Sequence, residues 1–189
     1  MTLCNITKKF GNKTVFSDFS LEVADKGITA IKGASGCGKT TFLRIISGLD
    51  KKYSGTVNIG NIKRISYVFQ EPRLLENSTA LENVSLVLSN TEEAEKTAEE
   101  WLIKVGLGSD IYTYPSEMSG GMKQRVSIAR ALAFDGDILL LDEAFNGIDS
   151  DRAKDIMDIV KEFARNKPVI FVSHSDEQIE YLKAKVIEM

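Results

Sequence analysis

The run Gly33 to Thr40, GASGCGKT, sets glycines at Gly33, Gly36 and Gly38 ahead of Lys39 and Thr40, matching G-x-x-x-x-G-K-[ST] in full. Glycines there let backbone N–H groups converge on phosphate oxygens that side chains would keep away, and a helix starting behind the loop turns its positive end toward an anion. Lys39 supplies a cation for β- and γ-phosphates, Thr40 a hydroxyl for Mg²⁺, and Thr41 reaches the α-phosphate side. With Ala34, Ser35 and Cys37 completing the loop, these residues predict a nucleotide site. A chance Gly-rich turn would have to match every position of the motif between a strand and a helix.

Two further groups could share that chemistry. Asp142 and Glu143 close the aliphatic run Ile138 to Leu141, so both carboxylates are expected at the carboxyl edge of a buried sheet, where ligands bind in such folds. One acid is enough to hold Mg²⁺, and the other can polarise a water for attack on the γ-phosphate. An acidic helix start after a strand is the plain alternative. Ser119-Gly120-Gly121 opens SGGMKQRVSIARAL, a second glycine element at a helix start. Ser119 there can cap the helix, bind an anion, or do both with the same free N–H groups. Glycine elements so far apart serve the same phosphates only if the fold joins them or a second copy of the chain supplies one.

The elements must place these groups. Apolar alternation predicts strands at about Thr2 to Lys9, Phe19 to Ala24 and Gly27 to Lys32, then a helix from Lys39 to Ser47. Strands follow at Gly55 to Ile59 and Arg64 to Phe69. Helical spacing takes over at Leu81 to Leu88, Glu93 to Val105 and Gly121 to Ala133. Strands return at Ile138 to Asp142 and Val169 to Ser173, around a helix at Asp151 to Arg165, and Val186 to Glu188 closes the sheet. The fold class is therefore α/β: a P-loop NTPase core with a mixed sheet, an antiparallel portion near the N-terminus and an inserted α-helical subdomain. One domain spans 1–189, with 1–71 and 134–189 forming the ATP-binding core and 72–133 the helical insertion.

Composition bounds the partners. With 43% hydrophobic and 27% charged residues and a net charge of -3, the chain reads as an ordinary globular domain with no basic block, so no nucleic acid is expected. No apolar run approaches the ~20 residues that cross a bilayer, and the first residues lack a signal-peptide pattern. A cytoplasmic location is expected. Cys4 and Cys37 are too few for a disulfide framework and are expected as free thiols; Cys37, at a helix start beside Lys39, is either a reactive thiolate faster than Cys4 or an inert passenger turned into the protein.

The order GASGCGKT, Gln70, MSGGMKQR, ILLLDEAFNGID and His174 resembles the nucleotide-binding subunits of ABC (ATP-binding cassette) transporters, over nearly the whole chain. The resemblance implies an Mg-dependent ATPase that binds ATP between two cassettes packed head to tail, a homodimer or a pair with a second cassette. Ser119, Gly120 and Gly121 then meet the γ-phosphate held by the partner's loop. It also implies that Gln70 senses Mg²⁺ and the γ-phosphate, that His174, the lone histidine, touches the γ-phosphate, that Asp149 crosses the dimer, and that Phe10 stacks on adenine. Core packing is the competing role for Phe10. Catalysis is assigned to Glu143, His174, Gln70 and Lys39, and metal binding to Thr40, Gln70 and Asp142.

Departures from the family pattern are Met118 and Met122 around the signature and Gly147-Ile148 in place of Ala-Leu before Asp149. Met122 removes an amide that could bond near the nucleotide, which predicts a weaker or slower closed dimer. Ending at Met189, the chain is expected to be a minimal cassette without a regulatory tail. Phe69 to Leu75 and Asp142 to Phe145 look most like importer ATPases of the nitrate, sulfonate and taurine kind. A permease is expected to dock at 71–88, in a groove formed by Leu74, Leu75 and Leu81, holding the subunit on the cytoplasmic face of the plasma membrane. A soluble, non-transport ABC ATPase is the competing class. An exporter half-molecule would need a fused membrane segment, and a small-substrate kinase leaves Ser119-Gly120-Gly121 unexplained.

Overall fold

The computed structural model describes residues 1–89 and 92–189. A parallel sheet of order β5-β6-β7-β3-β8 is built from β3 (Gly27–Lys32), β5 (Ile65–Val68), β6 (Ile138–Asp142), β7 (Pro168–Val172) and β8 (Lys185–Glu188). Every residue of β6 and β7 is buried, as expected for central parallel strands covered on both faces. Alternation along the strands separates two cores. Ile138, Leu140, Ile170 and Val172 face one side, and Leu139, Leu141, Val169 and Phe171 the other.

The first side is covered by α1 (Lys39–Ile46) and by an antiparallel sheet of order β2-β1-β4, made of β1 (Thr2–Phe10), β2 (Lys13–Glu22) and β4 (Ser54–Asn58). The second side carries α2 (Ala80–Ser85), α3 (Glu92–Lys104), α4 (Gly120–Phe134), α5 (Ser150–Ala164) and α6 (Asp176–Tyr181). The mixed β structure expected from the sequence is thus divided between two sheets. In chain order α2, α3 and α4 fall between β5 and β6, where the helical insertion is expected; residues 90 and 91 of that span lie outside the described residues.

Three elements differ from expectation. β2 begins at Lys13 rather than Phe19, because its pairing with β1 shifts register three times and Asp18 adopts a φ of 53°, breaking the alternation that would have marked it. The first helix of the insertion ends at Ser85, not Leu88; its start is fixed by a capping box between Thr79 and Glu82. Helix α6 was not expected, being short and polar, and is started by the Ser175 hydroxyl accepting from the Gln178 N–H.

Candidate active site

Because β3, β5, β6 and β7 run parallel, their carboxyl ends share one edge. From these ends emerge, respectively, the phosphate loop, Gln70, the Asp142-Glu143 pair and His174. With Phe10 from β1, the phosphate-loop residues Ser35, Gly36, Gly38, Lys39, Thr40 and Thr41 line a cavity of about 360 Å³ together with Gln70, Glu143 and His174. Gly38 has a φ of +115°, and a Cβ there would stand 2.5 Å from Val15 Cγ1, so only glycine fits where α1 begins. Gly38 gives α1 no side-chain cap, leaving the first N–H groups of the helix for an anion. Lys39, 6% exposed, donates from Nζ to the carbonyls of Gly33 at 2.9 Å and Ala34 at 3.0 Å, with Cys37 Sγ 4.0 Å away.

Thr40, Gln70 and Asp142 border an adjoining cleft of about 160 Å³. The Thr40 hydroxyl donates to Asp142 Oδ1 at 3.2 Å and the Tyr67 phenol to Oδ2 at 3.4 Å. Burial pushes the Asp142 carboxyl above its usual range and keeps the Tyr67 phenol protonated as a donor. The donors here are hard oxygens, which suits Mg²⁺. Among the described residues no three His, Cys, Asp or Glu side chains group to hold a metal.

Glu143 sits beside this acid in the left-handed backbone region, φ 50°, with its N–H bonded to the Val172 carbonyl at 3.0 Å. Its carboxylate accepts from Asn146 Nδ2 at 2.9 Å and Gln70 Nε2 at 3.3 Å, and His174 Nε2 stands 3.3 Å from Oε1. This mostly buried carboxylate lies on the wall of the cavity beside three polar side chains, and as an ionised group it has the chemistry of a proton acceptor.

Ser119, Gly120, Gly121 and Asp149 do not line this cavity. Ser119 caps α4, its hydroxyl accepting from the Met122 N–H at 3.2 Å, and Asp149 caps α5 by accepting from Arg152 N at 3.0 Å. Gly121 packs so closely on the Gly147 carbonyl that a Cβ would overlap it. Met118 is buried and Met122 packs half-buried on the core, so both signature methionines are packing residues.

A family model described as ABC transporter matches residues 16–146. The chain belongs to the ABC transporter family. It is 36% identical over 204 residues to the Fe(3+) ions import ATP-binding protein of Brucella melitensis, spanning 100% of this chain and 58% of that protein. Identity is 33% over 205 residues to the ergothioneine transport ATP-binding protein of Helicobacter pylori, spanning 100% of this chain and 96% of that one. An aliphatic sulfonates import ATP-binding protein of Burkholderia cenocepacia is 35% identical over 188 residues, 95% of this chain and 70% of its own. The sulfonate kind expected from the sequence is thus among its relatives, beside iron and ergothioneine systems. A dimeric ATP-binding cassette in a post-hydrolysis state, bound to ADP and Pi, superposes with a TM-score of 0.91 at 32% identity over 100% of this chain and 94% of that one.

In this ABC cassette Phe10 is 53% exposed at the cavity rim, so core packing is not its role. Leu74 and Leu81 pack inward on the core, leaving Leu75 exposed, and the apolar groove on this side, about 320 Å³, takes only Val87 from 71–88. Its other walls include Leu49, Tyr67, Phe69, Arg130 and Phe134. Cys4 is exposed on β1, whereas Cys37 is partly covered and lies just ahead of α1 with its Sγ 4.0 Å from Lys39 Nζ. Sequence reasoning missed Tyr67 and Asn146, whose partners Asp142 and Glu143 it had identified. For Asn146, three residues past Glu143, a polar side chain beside a motif acid was the signal available; Tyr67, 75 positions from Asp142, offered none. Among the described residues no helix is long and apolar enough to cross a membrane.

Proposed function

We propose that this chain is the ATP-hydrolysing subunit of an importer, working as one unit whose core (1–71 and 134–189) binds Mg-ATP and whose arm (72–133) carries the signature. The observation that carries this reading is the convergence of the phosphate loop, Gln70, Glu143 and His174 on one cavity, with Asp142 in the adjoining cleft. Lys39 and the loop N–H groups bind the phosphates. Thr40, Asp142 and Gln70 would hold Mg²⁺, which when bound offsets phosphate charge. Glu143 takes a proton from the attacking water at its carboxylate, held for this by Asn146, while His174 and Gln70 meet the γ-phosphate.

Two cassettes close head to tail, so that Ser119, Gly120 and Gly121 of each face the nucleotide of the other, with Asp149 at the seam. This is supported by the exclusion of those residues from the cavity of their own chain and by the dimeric cassettes it resembles. The import role is supported by the iron and sulfonate import relatives. A permease segment docks in the apolar groove between Leu49 and Val87, which holds the subunit at the cytoplasmic face of the membrane.

The test is a pair of variants. Glu143→Gln should keep Mg-ATP binding and lose turnover by ~10²- to 10⁴-fold, as expected for a removed general base. Lys39→Ala should lose Mg-ATP binding itself. Near-normal turnover in the first, or parental affinity in the second, would falsify the corresponding assignment.

A further inference from the structure

We propose that Lys8 is a positioning residue for the nucleotide base, its buried ammonium holding the Phe10 ring as the platform on which the base stacks. This rests on Phe10 being the base contact. Lys8 is 3% exposed. Its Nζ donates to Asp50 Oδ1 at 2.7 Å and to the Lys52 carbonyl at 2.8 Å, and stands 4.5 Å from the centroid of the Phe10 ring. A buried ammonium is tolerated only when paired and hydrogen-bonded, and here both conditions are met. An apolar side chain could fill the same space at less desolvation cost, but only a cation can be drawn to the face of a ring.

Phe10 needs such an anchor. More than half exposed at the end of β1, it has little around it to fix its rotamer, and a base that stacks on a freely turning ring must also order it. Lys8 does not line the cavity, whereas Phe10 does, so the ammonium grips the ring from the protein side and leaves it available to a ligand. Asp50 lies just past the end of α1, its N–H bonded to the Arg44 carbonyl at 3.0 Å. The same helix begins at Lys39 in the phosphate loop. Through Lys8 and Asp50 the base platform is therefore referenced to the helix that holds the phosphates, which fixes the span between them.

The experiment compares binding of Mg-ADP with that of pyrophosphate, which has no base, by calorimetry and competition. Phe10→Ala and the paired change Lys8→Met with Asp50→Asn, which leaves no orphaned carboxylate, should each weaken ADP by roughly 3- to 10-fold and leave pyrophosphate unchanged. Combining the two should weaken ADP no further. If the paired change prevents folding, Lys8→Gln, which keeps an N–H donor for Asp50 and removes the charge, should give the same selective loss. Equal weakening of ADP and pyrophosphate, or parental ADP binding in the Lys8 variants while Phe10→Ala loses it, would overturn the role of Lys8 and leave Phe10 as the base contact. Parental ADP binding in Phe10→Ala would instead remove the base contact itself, and the inference with it.

Discussion

At Asp142 the fold and the proposed chemistry want opposite things. The carboxylate is 2% exposed, and burial raises its pKa, so the folded chain holds this proton more tightly than the unfolded chain does. By linkage the ionised acid costs stability as pH rises above the ordinary aspartate value of 3.8, and the cost is complete above the raised folded value. Asp142→Asn should therefore melt a few degrees higher than the parent at neutral pH in a metal chelator, with the gap closing in acid, while Mg-dependent turnover is lost. Thermal melts at both pH values check this; a variant that melts lower at neutral pH would show that the bonds from Thr40 and Tyr67 outweigh desolvation.

The residues legible in the sequence are those at strand ends: Lys39, Gln70, Asp142, Glu143 and His174. Lys39, Asp142 and Glu143 are read from a motif or a strand end, whereas Gln70 and His174 are read only through the family resemblance, since a single Gln or His after a strand carries no signal of its own. Lys8 and Tyr67 were not legible, because their significance depends on a partner brought up by folding, whereas Asn146, three residues past Glu143, was simply overlooked. Lys8 reads as a solvent-facing strand residue until Asp50, 42 positions away, captures its ammonium. Tyr67 reads as core until its phenol is found on Asp142.

At the scale of elements, the opening of α4 separates two glycines that look alike in sequence. A Cβ on Gly120 would meet nothing within 4 Å, whereas on Gly121 it would run into the Gly147 carbonyl, which as backbone has little room to yield. Gly121→Ala should therefore destabilise the fold by about 1–3 kcal/mol, the usual cost of overpacking, and displace the first turn of α4. Gly120→Ala should be neutral to slightly stabilising, since alanine orders a helix better than glycine. Denaturant titration of both variants checks this, and equal stabilities would mean that the loop at Gly147 gives way freely. The elements themselves were largely legible, and the two misses have separate causes. β2 hides behind register shifts and α6 is too short and polar to show a period.

At the scale of the whole molecule, the proposed pairing of two chains has a combinatorial test. A subunit carrying both Lys39→Ala and Ser119→Arg, paired with a parental subunit, spoils both shared sites. The same two changes placed on opposite subunits fall in one site and leave the other complete. Purified mixed dimers of the second kind should retain on the order of half the parental turnover or less, and those of the first kind background only. Equal activity in the two arrangements would sink the head-to-tail assembly. The backbone at Glu143 bears on the molecule in another way. A residue with a Cβ held at a φ of 50° carries roughly 1–2 kcal/mol of strain that glycine would not. A selection for heat tolerance alone would therefore be drawn to that position and would favour Glu143→Gly, yielding a sturdier protein without the base proposed for its water. On the proposed function, the cassette would keep its glutamate only where turnover, and not endurance, decides which variants survive.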